Sequence, residues 1–167
     1  MKINTKFFVP VIAVFLSAAN PFAANATPRP ERIFFCGTSD GEPATMVRIP
    51  EKNEETALIR WVRELNSSVG ITRQERCEMV SARFQEFYNQ GTLAYMRGGI
   101  MNRQKVVCVS ETKPGPCVGL LWTLRNRDEP NEVIKQLGIV SAYKRAPLNQ
   151  SDILYVDMNE LLELPQE

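Results

Sequence analysis

Cys36, Cys77, Cys108 and Cys117 are the residues of this 167-residue chain whose type is best suited to chemistry, and the chain has no histidine to assist them. A cysteine attacks or binds metal as the thiolate, which usually needs an imidazole or another cation beside it. Zinc sites gather their ligands through close pairs, whereas successive cysteines here lie 41, 31 and 9 positions apart. An even set in an exported chain reads instead as disulfides. Of the three connectivities, Cys36–Cys77 with Cys108–Cys117 is favoured, since the first ties a strand to a helix packed on it and the second joins hairpin arms across a short loop. Loop entropy alone gives about 3.9 kcal/mol for the long closure and about 2.7 kcal/mol for the short one. The turn residues Pro114-Gly115 lie off the midpoint of the second pair, so that loop must be asymmetric.

Without histidine, acid–base work falls to Asp, Glu, Lys or Tyr. Asp157 and Glu160, three apart, have the spacing of a helix cap. With Glu132 they are also the candidates for a two-carboxylate hydrolase of cell-wall or surface polysaccharide. Asp128, Glu129, Asn131 and Glu132 are rich in oxygen but lack the spacing of a calcium loop, and read as a polar helix start. Arg60, Trp61 and Arg83, with Arg73 and Arg76 nearby, could form a glycan- or anion-binding surface with Trp61 as a stacking platform. Strand alternation argues instead for Trp61 in the core and Arg60 outside. Trp122 reads as core, sharing its strand face with Leu120 and Leu124. No catalytic residue, metal ligand or cofactor is assigned.

These residues need elements to hold them. Thr72 and Glu75 have capping-box spacing, and Cys77, Val80, Phe84 and Phe87 or Tyr88 recur at helical steps, predicting a long helix over about 72–89 that ends near Asn89 and Gly91. Cys77 then faces the core. Ile33 to Cys36, Ala44 to Ile49 and Ala57 to Val62 read as strands, with GTSDGEP as a turn cluster and EKNEE as a loop. Gly98-Gly99 reads as a turn before Gln104 to Val109. That run and Cys117 to Leu124 look like central strands covered by a helix. A second helix starts near Pro130 with Val133, Ile134 and Leu137 inward, and Ile153 to Val156 makes a last strand before a short helix capped by Asp157. The expected class is α+β: a small, mostly antiparallel sheet of five to six short strands with both helices packed on it, stabilised by disulfides.

Residues 1–26 have the form of a secretory signal peptide: Lys2 and Lys6, an apolar run to Ala19, and Ala24-Asn25-Ala26 at the cleavage site. The apolar run is too short to span a bilayer. The other 141 residues are one domain in length, with 27–32 a Pro-rich mobile lead-in and 33–164 the domain. They keep 18 basic against 19 acidic residues, which argues against nucleic acid as a partner. No later apolar run approaches membrane-spanning length. Periplasm, thylakoid lumen and exterior are all compatible destinations.

The order FFCGTSDGEPAT, IRWV, CEMVSARFQEFYNQGTLAY, VVCVS, GPCVGLLWTL and YVDMNELL resembles the cyanobacterial circadian oscillating polypeptide family over roughly residues 33–162. The resemblance implies an exported protein, held peripherally on a membrane at most, and no enzyme activity. The expected function is therefore a non-enzymatic binding domain whose partner is another protein or a membrane surface. The polysaccharide hydrolase and the glycan- or anion-binding module stand as alternatives.

Overall fold

Two-residue turns set the strand boundaries. The structure, a computed structural model, describes residues 29–63, 70–138 and 153–163; the signal-peptide reading of 1–26 lies outside them. Strands β1 (Ile33–Ser39) and β2 (Glu42–Ile49) pair antiparallel around Asp40 and Gly41, whose φ values of 51° and 78° suit a tight hairpin. Most of the expected turn cluster is thus strand, because Asp-Gly reverses the chain in two residues. β3 (Glu54–Arg60) follows a single turn of 3-10 helix at Pro50–Lys52 and Asn53 at φ 53°. It starts earlier than expected and ends before Trp61. Glu55 belongs to the strand because it pairs across it with Arg48 at 2.6 Å.

Helix α1 (Arg73–Gln90) has the full capping box at Thr72 and Glu75, and ends at Gly91 with φ 80°. Cys77, Val80, Ser81 and Phe84 are buried along it.

β4 (Tyr95–Met101) corrects the reading of Gly98-Gly99 as a turn. The reversal comes at Asn102 and Arg103, both at positive φ, and leads into β5 (Gln104–Ser110). Neither glycine has positive φ; both are there for space. A Cβ on Gly98 would lie 2.5 Å from the Pro130 Cβ, and one on Gly99 would lie 2.5 Å from the Cys117 Sγ.

β6 (Gly119–Thr123), α2 (Pro130–Gly138), β7 (Tyr155–Asp157) and α3 (Met158–Glu163) complete the described elements. The seven strands divide into two antiparallel sheets, β1-β2-β3 and β6-β5-β4-β7. The class is α+β as expected, but α1 intervenes between β3 and β4, so the hairpins do not merge into one sheet. β5 is central as predicted, whereas β6 is an edge strand. Its apolar sequence reflects a bulge at Leu121, which buries Leu121 and Trp122 together; Leu121, and not Leu120, joins the core. One core holds both sheets, with Phe34 stacked on Phe84 at 5.5 Å and Trp61 edge-on to Trp122 at 5.6 Å.

Both disulfides are Cys36–Cys77 and Cys108–Cys117. Cys77 and Cys108 are fully buried. The 108–117 loop is asymmetric: Cys108 lies opposite Leu120, so Cys117 falls outside the ladder and the loop turns back over the sheet. Arg97 donates to the Gly115 carbonyl there, and the Tyr155 hydroxyl accepts from the Gly115 N–H at 3.0 Å.

Candidate functional site: the cleft beside the third strand

The edges of the two sheets determine where the domain is closed and where it is open. Helix residues 83 and 85 project to opposite sides of α1, being about 200° apart around its axis. Gln85 takes up the edge of β1, accepting from the Phe34 N–H at 2.7 Å and donating to the Arg32 carbonyl at 3.4 Å. Arg32, placed in the lead-in by sequence, is further held by Glu51 at 2.9 Å. Arg83 takes up the edge of β6, donating to the carbonyl of the bulged Leu121 at 2.8 Å. α1 therefore closes one side of the domain by side-chain contacts to two strand edges.

A cleft of about 280 Å³ opens beside β3. Four consecutive residues of β3, Ala57, Leu58, Ile59 and Arg60, form one wall. Phe84 and Met96 reach it from α1 and β4, while Leu137, Met158 and Leu161 face it from α2 and α3. Ser39 and Arg60 are its polar members, and Arg60 is ion-paired with Asp40. The lining is apolar and carries no carboxylate.

The residues singled out by sequence do not gather at this cleft. Trp61 is 5% exposed; its indole N–H donates to Thr45 Oγ1 at 3.1 Å, and the Arg76 guanidinium lies 5.2 Å from its ring centre. That is a core position, not a stacking platform. Of Arg60, Trp61 and Arg83, only Arg60 lines the cleft. Asp157 caps α3, its Oδ1 accepting from the Asn159 and Glu160 N–H groups at 3.0 and 3.2 Å. The oxygen-rich loop is dispersed over separate cations. Asp128 takes both Arg125 donors at 2.8 Å, Glu129 takes Lys105 at 2.6 Å and Glu132 lies 4.0 Å from Lys135. Hydrogen bonding from Arg125 holds the Asp128 carboxyl below its ordinary range against the opposing effect of burial. The backbone N–H of Thr72, with its hydroxyl, lowers Glu75. Among the described residues no three His, Cys, Asp or Glu side chains come together as a metal site, and no described helix is long and apolar enough to cross a membrane.

Gln85 and Leu161 carry no signal in the sequence, one being a polar residue on a helix and the other a leucine near the chain's end. Only the pairing of Phe34 with residues far along the chain reveals what Gln85 does.

Two antiparallel sheets clasped by one helix, each half with its own disulfide, define a small cross-linked α+β domain with an apolar cleft. The family described as Circadian oscillating protein COP23 matches residues 33–163, and the chain belongs to it. No match was found among curated proteins or among solved structures.

Proposed function

We propose that the chain is an exported, non-enzymatic binding domain that holds a protein partner in the cleft between β3 and the helices α2 and α3. The observation that carries this reading is the lining itself: eight of its ten residues are apolar, and the two polar ones, Ser39 and Arg60, come from the strand ends. Recognition sites combine an apolar body with a few placed polar groups in this way. Both alternatives have less support. Of the carboxylates named for hydrolysis, Asp157 is a helix cap and Glu132 lies beside Lys135, and none of the three, Glu160 included, lines the cleft; Trp61 is too buried to stack on a sugar. Export is supported by the leader pattern in residues 1–26 and by two disulfides, which persist in oxidising compartments.

The test is the native mass of the endogenous protein after a mild salt wash of membranes, beside a chain carrying Leu161→Glu. The expected result is an assembly larger than the monomer, reduced to the monomer by a variant whose circular dichroism is unchanged. Monomer in both cases refutes the reading. An N-terminus at Thr27 in the purified protein is the expected sign of export.

A further inference from the structure

We infer that the occupant of the cleft is a short extended peptide that adds as a strand to the outer edge of β3, its alternate side chains entering the cleft. This rests on the cleft being the functional site.

Successive side chains of a strand point to opposite faces. A cavity lined by four residues in a row, Ala57 to Arg60, therefore lies against the edge of the strand as well as one face. The main chain is within reach of whatever fills it. Trp61 N–H donates to Pro43 carbonyl at 2.8 Å, and Arg60 is opposite Ala44 in the same register. Alternation of the antiparallel ladder then turns the N–H and C=O of Arg60 outward.

The other edges are managed differently. β1 is capped by Gln85, β6 by Arg83, and β7 has only three residues. β3 has seven, and among the described residues no strand pairs with its outer edge. Its protection consists of charges, Glu54 and Glu55 at one end and the Arg60–Asp40 pair at the other, and of a bulge at Leu58. These discourage indiscriminate pairing and leave residues 57–60 as the stretch a guest can use.

The same edge decides the chemistry of the ligand. An acyl chain filling the cleft would cover outward N–H and C=O groups without replacing their water, and each such group weakens binding by roughly tenfold. An extended peptide satisfies them. On one side its residues meet Met96, Leu137 and Leu161, and on the other they face solvent, so an apolar–polar alternation is required. Glu54 is exposed and in no ion pair among the described residues, which suits a basic residue flanking the guest.

The test uses the full mature chain with disulfides intact and a panel of soluble seven-residue peptides, Lys at both ends and Val, Leu or Phe alternating with Thr between. Binding is read by calorimetry and by amide hydrogen exchange at Arg60. We expect at least one member to bind, exchange at Arg60 to slow by roughly tenfold or more, and N-methylation of alternate amides to weaken binding by a similar factor. Equal binding of the N-methylated peptide overturns strand addition while leaving the cleft as a site. So does binding of decanoate with silence from every peptide, which would assign the cleft to an acyl ligand. Silence from both probes, together with no change of native mass in Leu161→Glu, refutes the cleft itself.

Discussion

Gly99 makes room for a disulfide, and that can be measured as a coupling energy. An added Cβ would meet the Cys117 Sγ at 2.5 Å and the Cys108 Sγ at 3.5 Å. The first distance is about 1 Å inside ordinary contact, and both atoms are held by a cross-link. Backbone strain plays no part, since Gly99 has no positive φ. Overpacking of this kind costs about 1–3 kcal/mol, which is the expected loss for Gly99→Ala. In a Cys108→Ala/Cys117→Ala background the obstructing sulfur is gone. There Gly99→Ala should stabilise by about 0.5–1 kcal/mol, the ordinary preference for alanine over glycine inside a strand. The cycle therefore predicts a coupling of about 1.5–4 kcal/mol. Urea unfolding of all four proteins under oxidising conditions, with mass spectrometry to confirm the cross-links, measures it. Each comparison is made within one disulfide background, because cross-linking also alters the unfolded state. Additivity within about 0.5 kcal/mol would mean that Gly99 and the disulfide are independent, and the spatial account of the Gly-Gly pair would fail.

Gln85→Ala should cost about 1–3 kcal/mol by leaving the Phe34 N–H without its acceptor, and should make the protein associate at high concentration through β1; urea unfolding measures the first and sedimentation the second, and an unaltered stable monomer would be the contrary result. Removing Cys36–Cys77 by paired alanine substitution should lower stability by about 3.9 kcal/mol and removing Cys108–Cys117 by about 2.7 kcal/mol, with chemical denaturation giving the order. Asp128 titrates below its ordinary range in the folded protein because Arg125 bonds to its charged form. Its contribution is present above the unfolded value of about 3.9 and disappears as pH falls through the lower folded value. Asp128→Asn should therefore lose about 1 kcal/mol at pH 7, and the difference from the parent should shrink steadily as pH falls below the unfolded value; a difference that does not shrink would contradict the assignment.

What sequence revealed depended on whether the cause was local. The α1 cap, its buried Cys77 and the two disulfides follow from residue spacing, apolar periodicity and an even cysteine count, all of which are written along the chain. β4 was hidden because glycine has two uses, positive φ and absence of Cβ, and sequence does not say which applies. At Gly98 and Gly99 the reason is a neighbour far along the chain, Pro130 or Cys117. GTSDGEP offers several turn-forming residues, of which only Asp40-Gly41 make the reversal. The division into two sheets depends on α1 reaching both β1 and β6, and the cleft depends on which edges are left over. Neither is a property of any one segment. Trp61 was placed correctly in the core by alternation, although it stands just outside β3 and is fixed by Thr45 and Trp122.

Each disulfide stays within one part of the chain: Cys36–Cys77 joins β1 to α1, and Cys108–Cys117 lies within β4–β7 territory. No covalent bond other than the backbone of residues 91–94 links the first part, through α1, to the second, from β4 onward. Across that join the contacts are packing and hydrogen bonds, with Trp61 on Trp122, Phe87 over Gly119 and Arg83 on the Leu121 carbonyl. A single backbone cut after Gly91 would thus yield two fragments, each already cross-linked, that can be made separately and mixed. Reassembly of the two would depend on non-covalent complementarity alone, from α1 against β6, from Trp61 against Trp122, and from β3 against the helices α2 and α3.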